Sequence, residues 1–540
     1  MSRPFQQNSR TQRVLFQPQT EQAFQRGANA MVDAVRPTLG PLPGIVAVER
    51  NPSNNPPELI DNGGVIARRI IQLDDRNANV GAMFVRQVLW DLNERMGDGT
   101  ATAAVLFQSI YNHALRYIVS GGNPMLMRKH LEIGLRIILE RLDAQKMLIE
   151  DSNQLAQIAR STCTDPEMAE LLSEIMEIVG PYGLVDIRSG QSREMGREYV
   201  EGSYWESGVL SQKMLTGWPD LKVELPEVAI LITDLAIEKP QEPLLALNTA
   251  VKAGYKNLMI IATKVPDKAV GLLQNADKNV HKLQLVGVKT PGAGIDKTIA
   301  AMQDMAILTG GRPYFKDAGE TLKNVKAEDF GHAHKAWATK THFGFLRGQG
   351  DPIKLRSHVA RLKRAYHSTN DAEQSKLFLD RIGRLLGGSA TFYVGGATKS
   401  EVETRKELAK CSIKVLRGAL EDGIVVGGGV VWLSCQPELQ EKISQSDTDE
   451  ERVSYQILYR AMEAPLRAML TNARLDPGAI LARIRSAGPG FGYDIVRGEI
   501  VCMQEEGVQD VASVQKSALI SAVSSAALAL TIDVLVHHKE

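Results

Sequence analysis

Gly97-Asp98-Gly99-Thr100-Ala101-Thr102 stands directly before the apolar-periodic stretch AAVLFQSIYNHALRYIV, and those residue types in that order suit an anion. Glycines let a ligand approach the backbone, the unpaired N–H groups of a helix start attract negative charge, threonine hydroxyls donate, and Asp98 could hold a magnesium ion. The plainer reading is an Asp/Thr helix cap. The segment is not the G-x-x-x-x-G-K-[ST] phosphate loop, which the chain lacks. Three further glycine turns adjoin helical patterns: Thr38-Leu39-Gly40-Pro41, Asp61-Asn62-Gly63-Gly64 and Val426-Gly427-Gly428-Gly429. Taken singly, each is only a turn.

Other chemistries find less support. The ten histidines show no H-E-x-x-H or paired metal spacing, and no G-x-S-x-G elbow occurs. Cys163, Cys411, Cys435 and Cys502 are far apart and read as reduced thiols of a cytosolic protein. With 63 Lys+Arg against 63 Asp+Glu, nothing draws the chain toward phosphate backbones or anionic lipid. The N-terminal stretch lacks an apolar core for a signal peptide, and cytoplasm is the expected location. The long uncharged run Ser517–Ile532 is shorter than a membrane span and rich in Ala and Ser, which suits close helix packing.

The elements that must position these turns follow from periodicity. Phe24, Ala28, Met31, Val32 and Val35 recur at helical spacing up to Pro37, and further helices are expected near 78–95, 100–119 and 126–150, with one hairpin-like insertion between Ile45 and the 61–64 turn. The middle changes character: VAILITD (228–234), NLMIIAT (257–263) and KLQLVGV (282–288) are short apolar runs separated by helical patterns at 240–253 and 266–277, implying a parallel sheet covered on both faces. Helical patterns return at 355–367 and 371–387 and dominate from Lys399 onward, apart from strand-like pieces around Tyr493–Met503. The fold class expected is multidomain α + α/β, with helical material bracketing an α/β insert and both chain ends sharing one core.

In order, TLGP, VIARRI, NVGAMFVRQV, GDGTATAAVL, GGNPM, AILTGG, the helix ending at Gly387-Gly388, VGGATKSEVE, EDGIVVGGG and RAMEAPLRAML form a series that resembles group I chaperonins, the GroEL-type protein-folding rings, over residues 13–537. The resemblance implies an equatorial ATP-binding domain at 1–144 and 422–540, an intermediate hinge domain at 145–200 and 390–421, and an apical polypeptide-binding domain at 201–389. It further implies ATP and Mg2+ as ligands: Thr38, Leu39, Gly40 and Pro41 line the nucleotide, Asp98, Gly99, Thr100, Ala101 and Thr102 hold phosphates and metal, with Asp98 the metal ligand, and Gly428 and Asp510 meet the base and ribose. Implied partners are non-native polypeptides, copies of the chain or a paralogue in rings, heptameric in this family, and a lid co-chaperonin; nucleic acid and membrane are not among them.

Departures from the family pattern matter as much. The two positions where the family carries water-activating aspartates read Asn62 and Cys411, with Asp61 a one-residue slip from the first. An amide orients a water but does not take its proton at neutral pH, and a protonated thiol is a poor carboxylate. Closure of the hinge domain is expected to bring Cys411 over the nucleotide. The apical segment from Val209 to Met214 lacks the family's aromatics; Leu244 and Leu247 keep the apolar character of one groove helix, and Val270 and Leu273 fall on the second, followed by Gln274 and Asn275. The Gly/Met tail of bacterial members is replaced by VHHKE. Two readings follow: an ATP-dependent folding chaperonin, or a chaperonin-like scaffold or holdase that binds ATP and hydrolyses it poorly.

Overall fold

The computed structural model describes residues 13–49, 57–216, 218–237, 242–264, 283–369 and 371–537. The chain divides into two compact units, Met1–Glu174 with Glu403–Glu540, and Ile175–Val402.

In the first unit the helices Gln19–Val35, Arg76–Met96, Thr100–Val119, Pro124–Gln145, Asp449–Ala461 and Ala512–Ala529 enclose one core containing Phe24, Met31, Leu106, Leu131, Leu458 and Val523. The two chain ends therefore do share a core. Gln19–Val35 buries Phe24, Ala28, Met31, Val32 and Val35, the positions that recur at three- and four-residue spacing. Arg76–Met96 starts at Asp75, whose carboxylate accepts from the N–H groups of Asn77 and Ala78, and stops at a left-handed Gly97. Ala512–Ala529 lies against Thr100–Val119 and Pro124–Gln145 with Ala518, Ala522, Ala526 and Ala527 buried, so small side chains permit close approach. Among the described residues no helix is long and apolar enough to cross a membrane. Four small antiparallel pairs also belong to this unit: Arg13–Leu15 with Leu535–His537, the insertion hairpin Val46–Val48 with Glu58–Ile60, Ile424–Val426 with Gln509–Val511, and Phe491–Asp494 with Glu499–Cys502 in the stretch expected to be strand-like.

The second unit holds a seven-stranded sheet. Its parallel centre consists of the expected apolar runs, Val223–Thr233, Asn257–Ala262 and Gln284–Lys289. The sheet is mixed, however, because Gly331–Ala338, Phe343–Gly348 and Ser203–Trp205 extend it antiparallel beyond Val223–Thr233, while the short Pro313–Tyr314 pairs parallel with that strand. Gly331–Ala338 buries Gly331 and Ala333 on one face and Ala336 and Ala338 on the other, with His334 exposed. Three helices, Ile295–Thr309, Pro352–Ser368 and Ala372–Leu386, are tied by a buried cluster: the Asp304 carboxylate, 3% exposed, sits 2.7 Å from His358 Nε2 and accepts two hydrogen bonds of 2.8 Å from Arg381. A separate three-stranded sheet sets Gly388–Val394 between Leu184–Ser189 and Gly196–Glu201. The helical pattern at 266–277 lies outside the described residues.

Candidate functional site

Three glycine turns meet in the first unit. A Cβ added at Gly63 would lie 2.9 Å from Thr100 Oγ1 and 3.3 Å from Thr38 Oγ1, so the 61–64 turn touches both the 38–41 turn and the start of the Thr100–Val119 helix. The fourth turn is connected through Met469, whose side chain would meet a Cβ at Gly40 at 3.2 Å and one at Gly429 at 2.9 Å. Asn472, one turn further along, donates from Nδ2 to the carbonyls of Arg36 at 2.9 Å and Leu39 at 2.8 Å, pinning the 38–41 turn. Neither Met469 nor Asn472 was singled out by the sequence; a side chain that braces a distant turn carries no local periodic signal.

Asp98 sits between two left-handed glycines, Gly97 at φ 77° and Gly99 at φ 83°. The Thr100–Val119 helix has no side-chain cap, and among the described residues the Asp98 carboxylate accepts only the adjacent Gly99 N–H, at 2.6 Å. The plain-cap reading is thereby set aside: this carboxylate is not satisfying the helix end. Gly97 is required by contact as well as by φ, since a Cβ there would lie 2.5 Å from the Cys411 carbonyl oxygen. The Lys399–Asp422 helix lies against the 97–99 turn at Cys411. Thr100, Ala101 and Thr102 are buried in the first turn of their helix.

Asp510 reaches the same place through the Gln509–Val511 strand, which pairs with Ile424–Val426, and Gly427 N–H donates to the Val508 carbonyl at 2.9 Å. Asp98 is exposed and Asp510 partly exposed, while neighbouring protein atoms withdraw part of the water around each carboxylate. Burial raises Asp98 above the usual carboxylate range, against the opposing Gly99 N–H. Burial, with the charge of Asp98 behind it, lifts Asp510 to about 7. Burial also drives the Cys411 thiol up to about 11; the Lys414 ammonium opposes the rise and Glu407, Asp98 and Glu94 add to it. Asn62 caps the Gly63–Arg69 helix, its Oδ1 accepting from Val65 N–H at 3.0 Å, and Asp61 is exposed.

Two neighbouring carboxylates, the charge of Asp98 raising Asp510, form a donor set that a divalent cation would relieve. No group of three or more His, Cys, Asp or Glu suited to a metal occurs among the described residues. That sparse set fits magnesium, which keeps water and phosphate oxygens among its ligands, better than a metal held wholly by protein.

The second unit treats its expected binding residues differently. Val209 bridges to Val288 and is 5% exposed, Met214 accepts the Gly287 N–H on Sδ at 3.3 Å and is 6% exposed, and Leu247 is 5% exposed among Ala246, Ala250, Leu258 and Ile260. All three belong to the core of that unit. Leu244 lies in the Glu242–Lys252 helix with its side chain outside the described residues, as are Val270 and Leu273 altogether.

Comparison with solved structures finds the chaperonin gp146 from bacteriophage EL 2 (Pseudomonas aeruginosa), crystallised in the presence of ATP-BeFx. One crystal form matches with a TM-score of 0.71 at 19% identity, covering 98% of this chain and 99% of that one. A second form matches with a TM-score of 0.62 at 19% identity, covering 98% and 100%. These likenesses establish the multidomain chaperonin fold. Residues 31–540 match the family model described as the TCP-1/cpn60 chaperonin family, and the chain belongs to that family.

Proposed function

We propose that the protein is an ATP-dependent chaperone that binds non-native polypeptides and assists their folding in an oligomeric ring. The observation that carries the nucleotide part is the meeting of the 38–41 and 61–64 turns with the Thr100 helix start, beside two neighbouring carboxylates, Asp98 and Asp510. In this reading the 38–41 turn and the Gly428 turn flank the nucleotide, the N–H groups and hydroxyls of Thr100 and Thr102 face phosphate, and Asp98 holds magnesium, with Asp510 near the ribose. Bound magnesium neutralises charge on the phosphates. The gp146 crystals with ATP-BeFx support the choice of ligand.

Self-assembly is supported by two of the small strand pairs, Arg13–Leu15 with Leu535–His537 and Val46–Val48 with Glu58–Ile60. Each has only two strands, marginal alone in water, and each exposes apolar side chains: Val14, Phe16, Val534 and Val536 on one, Ile45 and Leu59 on the other. Neighbouring copies in a ring would cover such edges. The equatorial, hinge and apical boundaries given by the resemblance, the cytoplasmic location, the heptameric count and a lid co-chaperonin belong to the same reading.

A second reading, a nucleotide-binding scaffold or holdase that hydrolyses poorly and joins mixed rings, is favoured by one specific observation. Cys411 carries a thiol held protonated at neutral pH, and the Asn62 oxygen is already engaged in capping. Both readings require saturable binding of Mg-ATP to purified protein, abolished by Asp98→Ala; a flat titration overturns both. Phosphate release and native mass spectrometry then separate them, with turnover by homo-rings supporting the first.

A further inference from the structure

Asn93 occupies the last turn of the Arg76–Met96 helix, where its backbone carbonyl accepts the Gly97 N–H at 2.9 Å and ends the helix. Its side chain is another matter. The residue is 5% exposed, and among the described residues no donor reaches its Oδ1. A buried amide oxygen without a donor costs about 1–3 kcal/mol, so an apolar residue would serve stability better. This oxygen points at the 61–64 turn: a Cβ at Gly64 would lie 2.5 Å from Asn93 Cγ and 2.7 Å from Oδ1. The turn is thus wedged between the Asn93 amide on one side and Val35, Thr38 and Thr100 on the other.

The neighbouring groups narrow what this oxygen can do. Asn62 Oδ1 already accepts from Val65 N–H. Asn93 Oδ1 is the amide oxygen beside the glycine turn that remains uncommitted. A rule of local satisfaction broken next to a candidate site is where a functional demand is expected.

We propose that Asn93 is a positioning residue for ATP hydrolysis, its Oδ1 accepting a hydrogen bond from the attacking water beside the 61–64 turn. This rests on the ATP-binding reading above. The water oxygen forms the new bond to the γ-phosphorus, the bond to the β–γ bridging oxygen breaks, ADP leaves, and the water's proton passes to the released phosphate or to solvent. Asn93 takes no proton; it fixes the direction of a lone pair.

The test measures three quantities on full-length protein: Mg-ATP affinity by titration calorimetry, steady-state phosphate release, and thermal melting. Asn93→Leu, similar in size but without an acceptor, is expected to melt at or above the wild-type temperature and to lose about ten- to a hundredfold in kcat, with Kd within about threefold. Asn93→Asp, which keeps an acceptor oxygen, is expected to retain turnover; Asn93→Ser serves in place of the leucine variant should that fail to fold. Unchanged kcat in the leucine or serine variant overturns the proposal, as does a parallel loss of affinity, turnover and melting temperature, the mark of a structural asparagine. Wild type that binds ATP but releases no phosphate overturns it while leaving nucleotide binding intact. Wild type that does not bind ATP refutes the underlying reading, which the calorimetric arm reports separately.

Discussion

The two units use their distinctive residues in opposite ways. In the first, residues remote in sequence come together: Gly63 lies against Thr38 and Thr100, Gly97 against Cys411, and the charge of Asp98 raises the Asp510 carboxylate. In the second, the apolar residues singled out for binding, Val209, Met214 and Leu247, are absorbed into the core, and the strongest polar cluster, Asp304 with His358 and Arg381, is fully partnered. A site keeps groups that a ligand must complete, whereas a scaffold completes them internally. An apolar helical stripe is a poor guide to a binding surface, because it looks the same whether it faces a client or the interior.

The comparison breaks most decisively at Asp98. Asp98→Ala is expected to cut Mg-ATP turnover by about a thousandfold with little change in melting temperature, since the carboxylate caps nothing; steady-state phosphate release and calorimetric melting check both halves. Loss of folding instead would make Asp98 part of the scaffold. Next in size is a gain: Asn62→Asp with Cys411→Asp restores carboxylates at the two water-activating positions, and phosphate release is expected to rise about a hundredfold. No rise would mean that the wild-type residues already do the work.

Arg381→Ala probes the other side. It leaves Asp304 buried with half its partners, and the second unit is expected to lose about 3–5 kcal/mol in chemical denaturation while the first unit's affinity for Mg-ATP stays unchanged. A weakened affinity would tie the two units together energetically.

The smallest effect concerns pH. Asp510 has a folded pKa raised to about 7 over an ordinary value near 3.9, so between those values the native state holds the proton more tightly than the unfolded chain. Its contribution is therefore fully present at low pH and is lost as pH rises through 7. Asp510→Asn is expected to melt a few degrees above wild type at pH 8 without nucleotide, the difference narrowing below pH 7 and closing near pH 4. A constant difference across that range would assign the effect to packing.

Much of the fold was legible because its signals are local. The continuous apolar runs at 228–234 and 257–263 gave the parallel strands, and the bracket of helical periodicity gave a core shared by both ends. The antiparallel strands Gly331–Ala338 and Phe343–Gly348 went unread, since HAHKAWA mixes small and polar residues and its buried positions, Ala333, Ala336 and Ala338, follow no period of two. At the candidate site, the glycine turns announced themselves, but Asn93, Met469 and Asn472 did not. Their roles arise from contacts with partners 29 to more than 400 residues away, which no spacing rule encodes.

The pairing of Arg13–Leu15 with Leu535–His537 carries a consequence for synthesis on the ribosome. Residues 175–402 form a contiguous stretch whose sheet can close as soon as it clears the exit tunnel, while the N-terminal helices must wait with apolar faces uncovered until Ala512–Ala529 is translated. The insert is thus expected to fold before the body that carries it. At about 5–20 residues per second, the remainder leaves the early helices unpartnered for tens of seconds, a window in which the nascent chain itself needs protection from aggregation.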